Sequence, residues 1–438
     1  MEISELYKLF LQHPVVTTDT RDCPEGSLFF ALKGETFNGN HFALQALEKG
    51  CAYAVVDEKA PDADDDRLIL VHDVLKTLQD LAHYHRLQLG TPILEITGTN
   101  GKTTTKELVS AVLAEKYRVL YTLGNFNNHI GVPKTLLRLT RDDEMAVIET
   151  GANHPGEIKT LADIVSPDCG LITNVGKAHL EGFGSFEGVI RTKGELYDKL
   201  RTGVDAQRVE GAPFIFLHAD NSYLTEIAHD LKAFTYGEPG HDYDVEGEVL
   251  ECNPFLHLRW RKRDGQWNDV QTQLIGAYNV TNALAAAIVG THFGVSEEQI
   301  SHALRNYKPT NNRSELMQTQ HNTLVVDAYN ANPTSMAAAL DNFALIPHEH
   351  KMVIIGGMRE LGAASAEEHK KVAERLASLT LEEAWLVGPE FKPFAGTHRW
   401  FEDVEAVKQE LQQSPVSGRL ILIKGSNGQK LFQLPEML

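Results

Sequence analysis

The stretch Ile93-Leu-Glu-Ile-Thr-Gly-Thr-Asn-Gly-Lys-Thr-Thr-Thr105 decides the expected fold of this chain. A short apolar run leads into two glycines, Gly98 and Gly101, and Lys102-Thr103 then begin a predicted helix. Strand, glycine loop and helix N-terminus in this order form an anion site, because backbone N–H groups turn inward and the helix dipole adds positive charge. Lys102 would meet the terminal phosphates of a nucleotide, and the Thr103 hydroxyl would bind Mg²⁺.

The match to the standard P-loop pattern is incomplete. The pattern G-x-x-x-x-G-K-[ST] requires glycine at position 96, where this chain has Ile96. The short loop is therefore either a chance match or a variant specific to one family. The rest of the chain has to decide between these two interpretations.

Composition restricts the class of protein. A chain of 438 residues indicates two to four domains, and 42% hydrophobic with 23% charged residues is typical of soluble globular protein. We expect no membrane span and no signal peptide, and the four scattered cysteines form no CxxC pair, so a reduced, cytoplasmic setting is predicted. A net charge of −19 argues against nonspecific nucleic-acid binding, which needs a basic face.

The pattern of elements predicts an α/β fold of three domains. Residues 1–88 form a small α/β domain that ends in a helix over 74–89. Residues 89–310 form a central P-loop-type ATPase domain with a parallel sheet, an antiparallel excursion over 243–272 and an alanine-rich helix after 275. Residues 311–438 form a Rossmann-like α/β domain, with strands over 323–327, 383–387 and 420–424. The loop-forming stretch 309–313 marks the second boundary.

Polar clusters follow four apolar strands of the central domain, at 97–103, 125–128, 149–154 and 174–179. Ligands of parallel sheets collect beyond the carboxyl ends of the strands. Glu149 offers Mg²⁺ a hard oxygen ligand and His179 could complete its coordination, which predicts a magnesium-nucleotide site. From the sequence alone, Lys193 is an ordinary exposed lysine of a helix, and Asn279 and Asn282 either cap the alanine-rich helix or reach a ligand.

The stretch 97–104 resembles the ATP loop of the Mur ligase family, which accounts for Ile96. The resemblance covers all three domains. It is also carried by Gly124-Asn-Phe-Asn-Asn128, Gly151-Ala-Asn-His-Pro-Gly-Glu-Ile158, Asp327-Ala-Tyr-Asn-Ala-Asn-Pro-Thr-Ser-Met336 and Gly357-Met-Arg-Glu-Leu-Gly362.

The resemblance implies ATP and two Mg²⁺ ions as cofactors. It assigns catalytic roles to Lys102, Lys193 and His179, with Lys193 carrying a CO2-derived carbamate. The residues it implies for the metals are Thr103, Glu149, His179 and Lys193. Those it implies for the nucleotide are Gly98, Thr99, Asn100, Gly101, Lys102, Thr103, Thr104, Asn279, Asn282, Arg313 and Asp327.

The implied reaction is ATP-dependent amide formation through an acyl phosphate. The implied substrates are UDP-N-acetylmuramoyl-tripeptide and D-alanyl-D-alanine. We expect the chain to be a monomer. The residues that the resemblance implies for binding the UDP-sugar are Thr20, Arg21, Lys33 and Gly34. The remaining implied substrate residues are Asn127, Asn128, Asn153, Tyr329, Asn330 and Asn332.

The chain departs from the family pattern at four positions, where it has Tyr278, His129, Asn427 and Phe432. The last two put in doubt how the third domain contacts the dipeptide. Three rivals stay open: a sister ligase that adds a diamino acid, a folate polyglutamate synthase, and a nucleotide-binding regulator without catalysis. The Asp-Asn-Pro-Arg motif expected of the first is absent, and the implied catalytic and metal residues are intact, which argues against the last.

Overall fold

The computed structural model describes residues 1–58, 65–203, 208–309 and 313–438. It contains three sheets of four, nine and six strands, which we call the N-terminal, central and C-terminal sheets. The predicted boundary stretch 309–313 falls partly outside the described residues, at 310–312. The predicted α/β class with three sheet-based units is confirmed.

The N-terminal sheet is parallel, with its strands in chain order. Leu28–Phe30 is buried along its whole length because helices cover this small sheet, and Leu6 and Phe10 of the first helix enter the same core. The elements of this N-terminal unit are helices α1 (Ile3–Gln12), α2 (Ala43–Glu48) and α3 (Val74–Leu89) and strands β1 (Val16–Thr17), β2 (Leu28–Phe30), β3 (Tyr53–Val56) and β4 (Leu68–Leu70).

The central sheet has the order β13-β12-β11-β10-β9-β8-β5-β7-β6 and is parallel from β6 to β11. Its strands are β5 (Ile93–Thr97), β6 (Val119–Tyr121), β7 (Met145–Glu149), β8 (Cys169–Ile172), β9 (Phe214–His218), β10 (Ala233–Gly237), β11 (Val245–Cys252), β12 (Phe255–Lys262) and β13 (Asn268–Ile275). The predicted antiparallel excursion is present as β11 to β13.

Helices cover both faces of this sheet. The alanine-rich helix packs against α4 because its small side chains let the two backbones approach closely, and ten of its residues are buried. The helices are α4 (Lys102–Ala114), α5 (Gly131–Leu136), α6 (Glu157–Val165), α7 (Leu180–Phe183), α8 (Phe186–Thr202), α9 (Ser222–Ala228), α10 (Asn279–His292) and α11 (Glu297–Asn306).

A buried ion pair anchors α3 to the central sheet. The Arg86 guanidinium donates to the Asp168 carboxylate at 2.8 Å, and both side chains are fully buried. Arg86 also donates to the carbonyl oxygens of Thr91, Val165 and Ser166. The helix that ends the N-terminal unit is thereby fixed to the strand next to the glycine loop.

The C-terminal sheet has the order β14-β15-β19-β16-β17-β18, and only β14 runs antiparallel to its neighbour. Its strands are β14 (Glu315–Gln318), β15 (Thr323–Asp327), β16 (Lys351–Gly356), β17 (Glu383–Val387), β18 (Arg399–Phe401) and β19 (Leu420–Lys424). Its helices are α12 (Pro333–Leu345), α13 (Ser365–Ala377) and α14 (Val404–Gln413). This C-terminal unit has apolar clusters on both faces of the sheet.

Among the described residues, no helix is both long and apolar enough to cross a membrane. All four cysteines are free thiols.

Candidate functional site

Two glycines shape the loop between β5 and α4. Both have positive φ, +141° at Gly98 and +76° at Gly101. A Cβ at Gly98 would lie 2.1 Å from the Thr173 hydroxyl oxygen, and one at Gly101 would lie 2.6 Å from Oδ1 of Asn282. Both positions therefore require glycine, for conformation and for space.

Asn174, which follows the neighbouring strand β8, is hydrogen-bonded to this loop. The Thr99 N–H donates to the Asn174 carbonyl oxygen at 2.9 Å, and the Asn100 N–H donates to Oδ1 of Asn174 at 3.0 Å. Asn174 Nδ2 returns a hydrogen bond to the Asn100 carbonyl oxygen at 3.0 Å. The sequence interpretation placed Asn174 in a polar cluster and assigned it no role, although its position beyond β8 was the available signal.

Lys102 begins helix α4 and bends back over its own loop. Its Nζ donates to the carbonyl oxygens of Gly98 at 2.8 Å and Thr99 at 3.0 Å. Burial lowers the pKa of Lys102 to about 8, against the opposing effect of the Glu149 carboxylate. An anion bound in the loop would favour the charged form, so the site is suited to receive phosphate.

Glu149 has one satisfied and one free carboxylate oxygen. Its Oε1 accepts hydrogen bonds from the Thr103 hydroxyl at 3.2 Å and from Asn127 Nδ2 at 2.8 Å. Its Oε2 is buried and has no hydrogen-bond partner among the residues that the structure describes. An unpartnered buried carboxylate oxygen is costly, and it is the hard ligand that Mg²⁺ prefers.

Over the described ranges, no group of three or more His, Cys, Asp or Glu side chains is arranged to hold a metal. Mg²⁺ commonly binds through one or two carboxylates together with waters and substrate phosphates. The free oxygen of Glu149 beside Thr103 and the glycine loop fits that arrangement. The residues therefore fit a magnesium ion that arrives with a nucleotide.

The interpretation of Lys193 as an exposed lysine is wrong. Its exposed fraction is 2%, because helix α8 is covered on more than one side and Lys193 lies on a covered face. Its ammonium lies 5.5 Å from the centroid of the Phe183 ring. Burial, reinforced by the nearby positive charge of Lys102, holds the pKa of Lys193 well below its usual range.

His179 lies at the start of α7, with a left-handed backbone at φ +50°. Its Nδ1 is in direct contact with the carboxylate of Glu360, which belongs to the C-terminal unit. Burial lowers the pKa of His179, and the Glu360 carboxylate opposes that shift. The structure thus pairs this predicted metal ligand with a residue that the sequence interpretation did not single out.

Asn279 and Asn282 connect the start of α10 to α4. Asn282 Nδ2 donates to Oδ1 of Asn279 at 2.8 Å, and the Thr105 hydroxyl donates to Oδ1 of Asn282 at 3.0 Å. Both asparagines are buried and both border the cleft described below. Tyr278, a departure from the family pattern, shares a 2.7 Å hydrogen bond with the Ser314 hydroxyl.

The C-terminal unit contributes charged groups at the ends of its strands. The Arg313 guanidinium lies 4.0 Å from the centroid of the Tyr329 ring. Lys424 Nζ, almost fully buried, donates to Oδ2 of Asp327 at 2.6 Å and to the Asn330 carbonyl oxygen at 3.3 Å. Lys424 lines the cleft and ends its strand as Asp327 does.

Asn332 joins the C-terminal unit to the glycine loop. Its Nδ2 donates to Oδ1 of Asn100 at 2.7 Å. Its own Oδ1 accepts from the Ser335 N–H at 2.9 Å and so caps helix α12. One side chain therefore fixes a helix start and also contacts the loop.

A cleft of about 1080 Å³ lies between the central and C-terminal units. Of the predicted site residues, those that line it are Thr99, Asn100, Gly101, Lys102, Thr103, Thr104, Asn127, Asn128, Glu149, Asn153, His179, Asn279, Asn282, Arg313, Asp327, Tyr329, Asn330 and Asn332. Gly98 and Lys193 are not among the residues that line the cleft. Among the four departures, His129 and Tyr278 line the cleft, and Asn427 begins a short 3-10 helix.

The four predicted residues of the N-terminal unit do not border this cleft. Arg21 is exposed and paired with Asp19, and the carbonyl oxygen of Thr20 accepts from a lysine. Lys33 is paired with Asp57 at 3.0 Å and Glu58 at 2.7 Å, beside Gly34.

Comparison with known proteins agrees with the geometry. Three family models match the chain: the Mur ligase family catalytic domain at 14–86, the Mur ligase middle domain at 96–290, and the Mur ligase glutamate ligase domain at 312–427. The chain is 35% identical to the UDP-N-acetylmuramoyl-tripeptide–D-alanyl-D-alanine ligase of Bacillus subtilis (strain 168), over 96% of this chain and 92% of that protein.

Two solved structures resemble the chain over nearly its whole length. The MurF structure from Acinetobacter baumannii has a TM-score of 0.86 at 29% identity, covering 99% of this chain and 97% of that chain. The MurF ligase from Thermotoga maritima in complex with ADP has a TM-score of 0.83 at 25% identity, covering 98% and 97%.

A glycine loop that faces an interdomain cleft, in a three-unit α/β chain, is suited to a nucleotide-dependent reaction. The matches of the three family models and of the full-length relative place the chain in the Mur ligase family. Within that family, the relatives compared above are the tripeptide–D-alanyl-D-alanine ligases, also called MurF.

Proposed function

We propose that this chain is an ATP-dependent amide ligase that joins D-alanyl-D-alanine to UDP-N-acetylmuramoyl-tripeptide, giving the muramoyl-pentapeptide used in peptidoglycan synthesis. The observation that carries the proposal is the cleft between the glycine loop and the C-terminal unit, in which Asn332 contacts Asn100 at 2.7 Å. A nucleotide on the loop and an amine held by the C-terminal unit would thereby meet in one cavity. The full-length similarity to ligases of this name supports the same substrates.

The glycine loop and Lys102 would hold the ATP phosphates. Backbone N–H groups at the start of α4 and the Lys102 ammonium place positive charge where the γ-phosphate would lie. The terminal carboxylate of the tripeptide attacks that phosphorus, the bond to the β-phosphate oxygen breaks, and ADP leaves with an acyl phosphate formed. Because a carboxylate must approach an anionic phosphate, this positive charge lowers the barrier.

Thr103 and Glu149 would hold Mg²⁺, with His179 as a further ligand. When bound, the ion screens the phosphate charges and stabilises the charge that develops during transfer. We propose a second Mg²⁺ ion as part of the same site. The free buried oxygen of Glu149 supports the first of these assignments.

We propose that Lys193 carries a carbamate. Only a neutral amine attacks CO2, and burial together with the nearby Lys102 charge lowers the pKa of Lys193, so its amine is available. The attack forms an N–C bond while one C=O π bond of CO2 opens, one amine proton leaves, and the neutral amine becomes an anionic carbamate. Such an anion near the Lys102 ammonium would form a favourable pair of opposite charges.

The amine of D-alanyl-D-alanine then attacks the acyl carbon. A tetrahedral intermediate forms and collapses with loss of inorganic phosphate, which leaves the new amide. Arg313, Asp327, Tyr329 and Asn330 border the C-terminal side of the cleft, where the dipeptide and the nucleoside would lie. A closed cleft excludes water, which would otherwise hydrolyse the acyl phosphate.

We propose that each of the three units binds a different substrate, and that their boundaries are 1–88, 89–310 and 311–438. The first would bind the UDP-sugar through Thr20, Arg21, Lys33 and Gly34, the second would bind ATP, and the third would bind the dipeptide. The matches of the three family models to 14–86, 96–290 and 312–427 support these boundaries. We further propose that the chain acts as a monomer in the cytoplasm, where its ATP is found.

Phosphate release from ATP tests this function. We expect release with UDP-N-acetylmuramoyl-tripeptide to be strongly stimulated by D-alanyl-D-alanine and not by a diamino acid. Dihydrofolate with glutamate serves as the control for a folate ligase. Stimulation by another amine, with none from the dipeptide, would reject this substrate assignment.

A further inference from the structure

Two turns with unusual backbone conformations meet between the central and C-terminal units. His179 has φ +50° and Glu360 has φ +61°, and neither is glycine. Left-handed backbone at a non-glycine residue costs free energy and is kept where the surrounding structure demands it, often at functional sites. The two strained residues are in contact with each other through their side chains.

The backbones around this contact also fit together. The Glu181 N–H donates to the Glu360 carbonyl oxygen at 3.4 Å. A Cβ built on Gly362 would lie 3.4 Å from the Cβ of Glu181, so the two turns are packed closely. The Glu360 side chain is therefore directed at His179 by its own turn, and the contact is not a chance meeting of two long side chains.

The contact uses one particular nitrogen of the imidazole. The carboxylate lies against Nδ1, although within the described residues this contact does not have the geometry of a hydrogen bond, and Nε2 on the other side of the ring is free of it. Histidines that bind metals commonly donate their other N–H to a carboxylate, which fixes the ring orientation and raises the basicity of the ligating nitrogen. The Glu360 carboxylate is the group placed to take up that relation with His179.

We infer that Glu360 is a positioning residue for the metal site: it orients His179 from the C-terminal unit, so the site is completed only when the central and C-terminal units are in contact. This inference rests on the proposed role of His179 as a metal ligand. It makes the strength of metal binding depend on the arrangement of the two units. In this inference Glu360 acts through its contact with His179.

Mn²⁺ binding to the full-length protein saturated with ADP, followed by electron paramagnetic resonance, tests the inference without turnover. We expect Glu360→Ala to weaken Mn²⁺ binding at least about tenfold. Glu360→Gln should retain most of the affinity, because its amide oxygen keeps an acceptor of the same shape beside Nδ1. The matched control is Glu349→Ala, an exposed glutamate at the opposite end of strand β16.

A double-mutant cycle separates positioning from a general effect on folding or closure. In a His179→Ala background, Glu360→Ala should weaken Mn²⁺ binding no further. An equal loss in both backgrounds would overturn the inference, as would unchanged affinity in Glu360→Ala when His179→Ala does weaken binding. If His179→Ala leaves Mn²⁺ binding unchanged, the proposed ligand role of His179 fails and this inference fails with it, while the ligase activity remains separately testable.

Discussion

Lys193 shows what a single residue can and cannot reveal in a sequence. Its helix was predicted, but its burial was not, because spacing along one helix does not tell how many sides other elements cover. Glu149 was recognised from the sequence, since an acidic residue directly after an apolar strand of a parallel sheet lies at the edge where ligands collect. Its free oxygen became visible only in three dimensions.

Replacing Lys193 tests the proposed carbamate. We expect Lys193→Ala to lower kcat at least about 100-fold, because it removes the anionic carbamate proposed to pair with Lys102, which holds the phosphates. High bicarbonate should not restore activity, since the amine itself is gone. The control is Lys199→Ala on the same helix, where the lysine pairs with Asp163 at 3.1 Å. Unchanged activity in Lys193→Ala, or no carbamate signal in the ¹³C spectrum of wild type with labelled bicarbonate, would remove the carbamate.

The buried carboxyl group of Glu95 leads us to expect that the free energy of unfolding depends on pH. Burial raises its pKa to about 8, while its Oε1 accepts from the Thr150 hydroxyl at 2.8 Å. Between about pH 4.5 and 8 the unfolded chain releases this proton and the folded chain keeps it, so the free energy of unfolding falls as pH rises, by roughly 1.4 kcal/mol per unit at most. Glu95→Gln removes that loss and keeps the acceptor for Thr150.

The melting temperature of Glu95→Gln should therefore exceed that of wild type by more at pH 8 than at pH 5.5. The exposed strand residue Glu251, changed to Gln, serves as the control and should show no such trend. A difference that is the same at both pH values would show that Glu95 is ionised when folded.

At the scale of elements, much of the fold followed from the sequence. The helix over 74–89 and the strands over 323–327, 383–387 and 420–424 coincide with α3, β15, β17 and β19, because each is a strongly patterned run between clear breakers. Strands β9 and β10 were missed, although Asp220-Asn221 and Gly237-Glu-Pro-Gly240 mark where they end. The order of strands in the sheets could not be predicted from the sequence either, because it depends on contacts between residues that are far apart in the chain.

The buried ion pair of α3 predicts a large loss of stability. Arg86→Leu leaves the Asp168 carboxylate buried without its guanidinium, which costs roughly 3–5 kcal/mol. The exposed pair of Arg67 and Asp65 provides the control, and Arg67→Ala should cost no more than about 1 kcal/mol. Urea unfolding measures both variants. Equal costs would mean that the Arg86 pair adds nothing through its burial.

At the scale of the whole molecule, Asn332 tests whether the two units hold each other through the loop. Asn332→Asp keeps the helix cap, because an aspartate oxygen still accepts from Ser335, but it loses the donor to Asn100. We expect a larger radius of gyration by small-angle X-ray scattering without substrates, with melting temperature nearly unchanged. Asp403→Asn, at the cap of α14 in the same unit, is the matched control. An unchanged radius would contradict a role for this contact in closure.

The central claim is that one cleft joins a carboxylate to the amine of D-alanyl-D-alanine through an acyl phosphate. The most direct test uses UDP-N-acetylmuramoyl-tripeptide with both oxygens of its terminal carboxylate labelled with ¹⁸O, together with ATP and the dipeptide. Mass spectrometry should find one ¹⁸O in the released phosphate and the other in the new amide of the pentapeptide. Unlabelled phosphate, or labelled phosphate without incorporation of the dipeptide, would contradict the account.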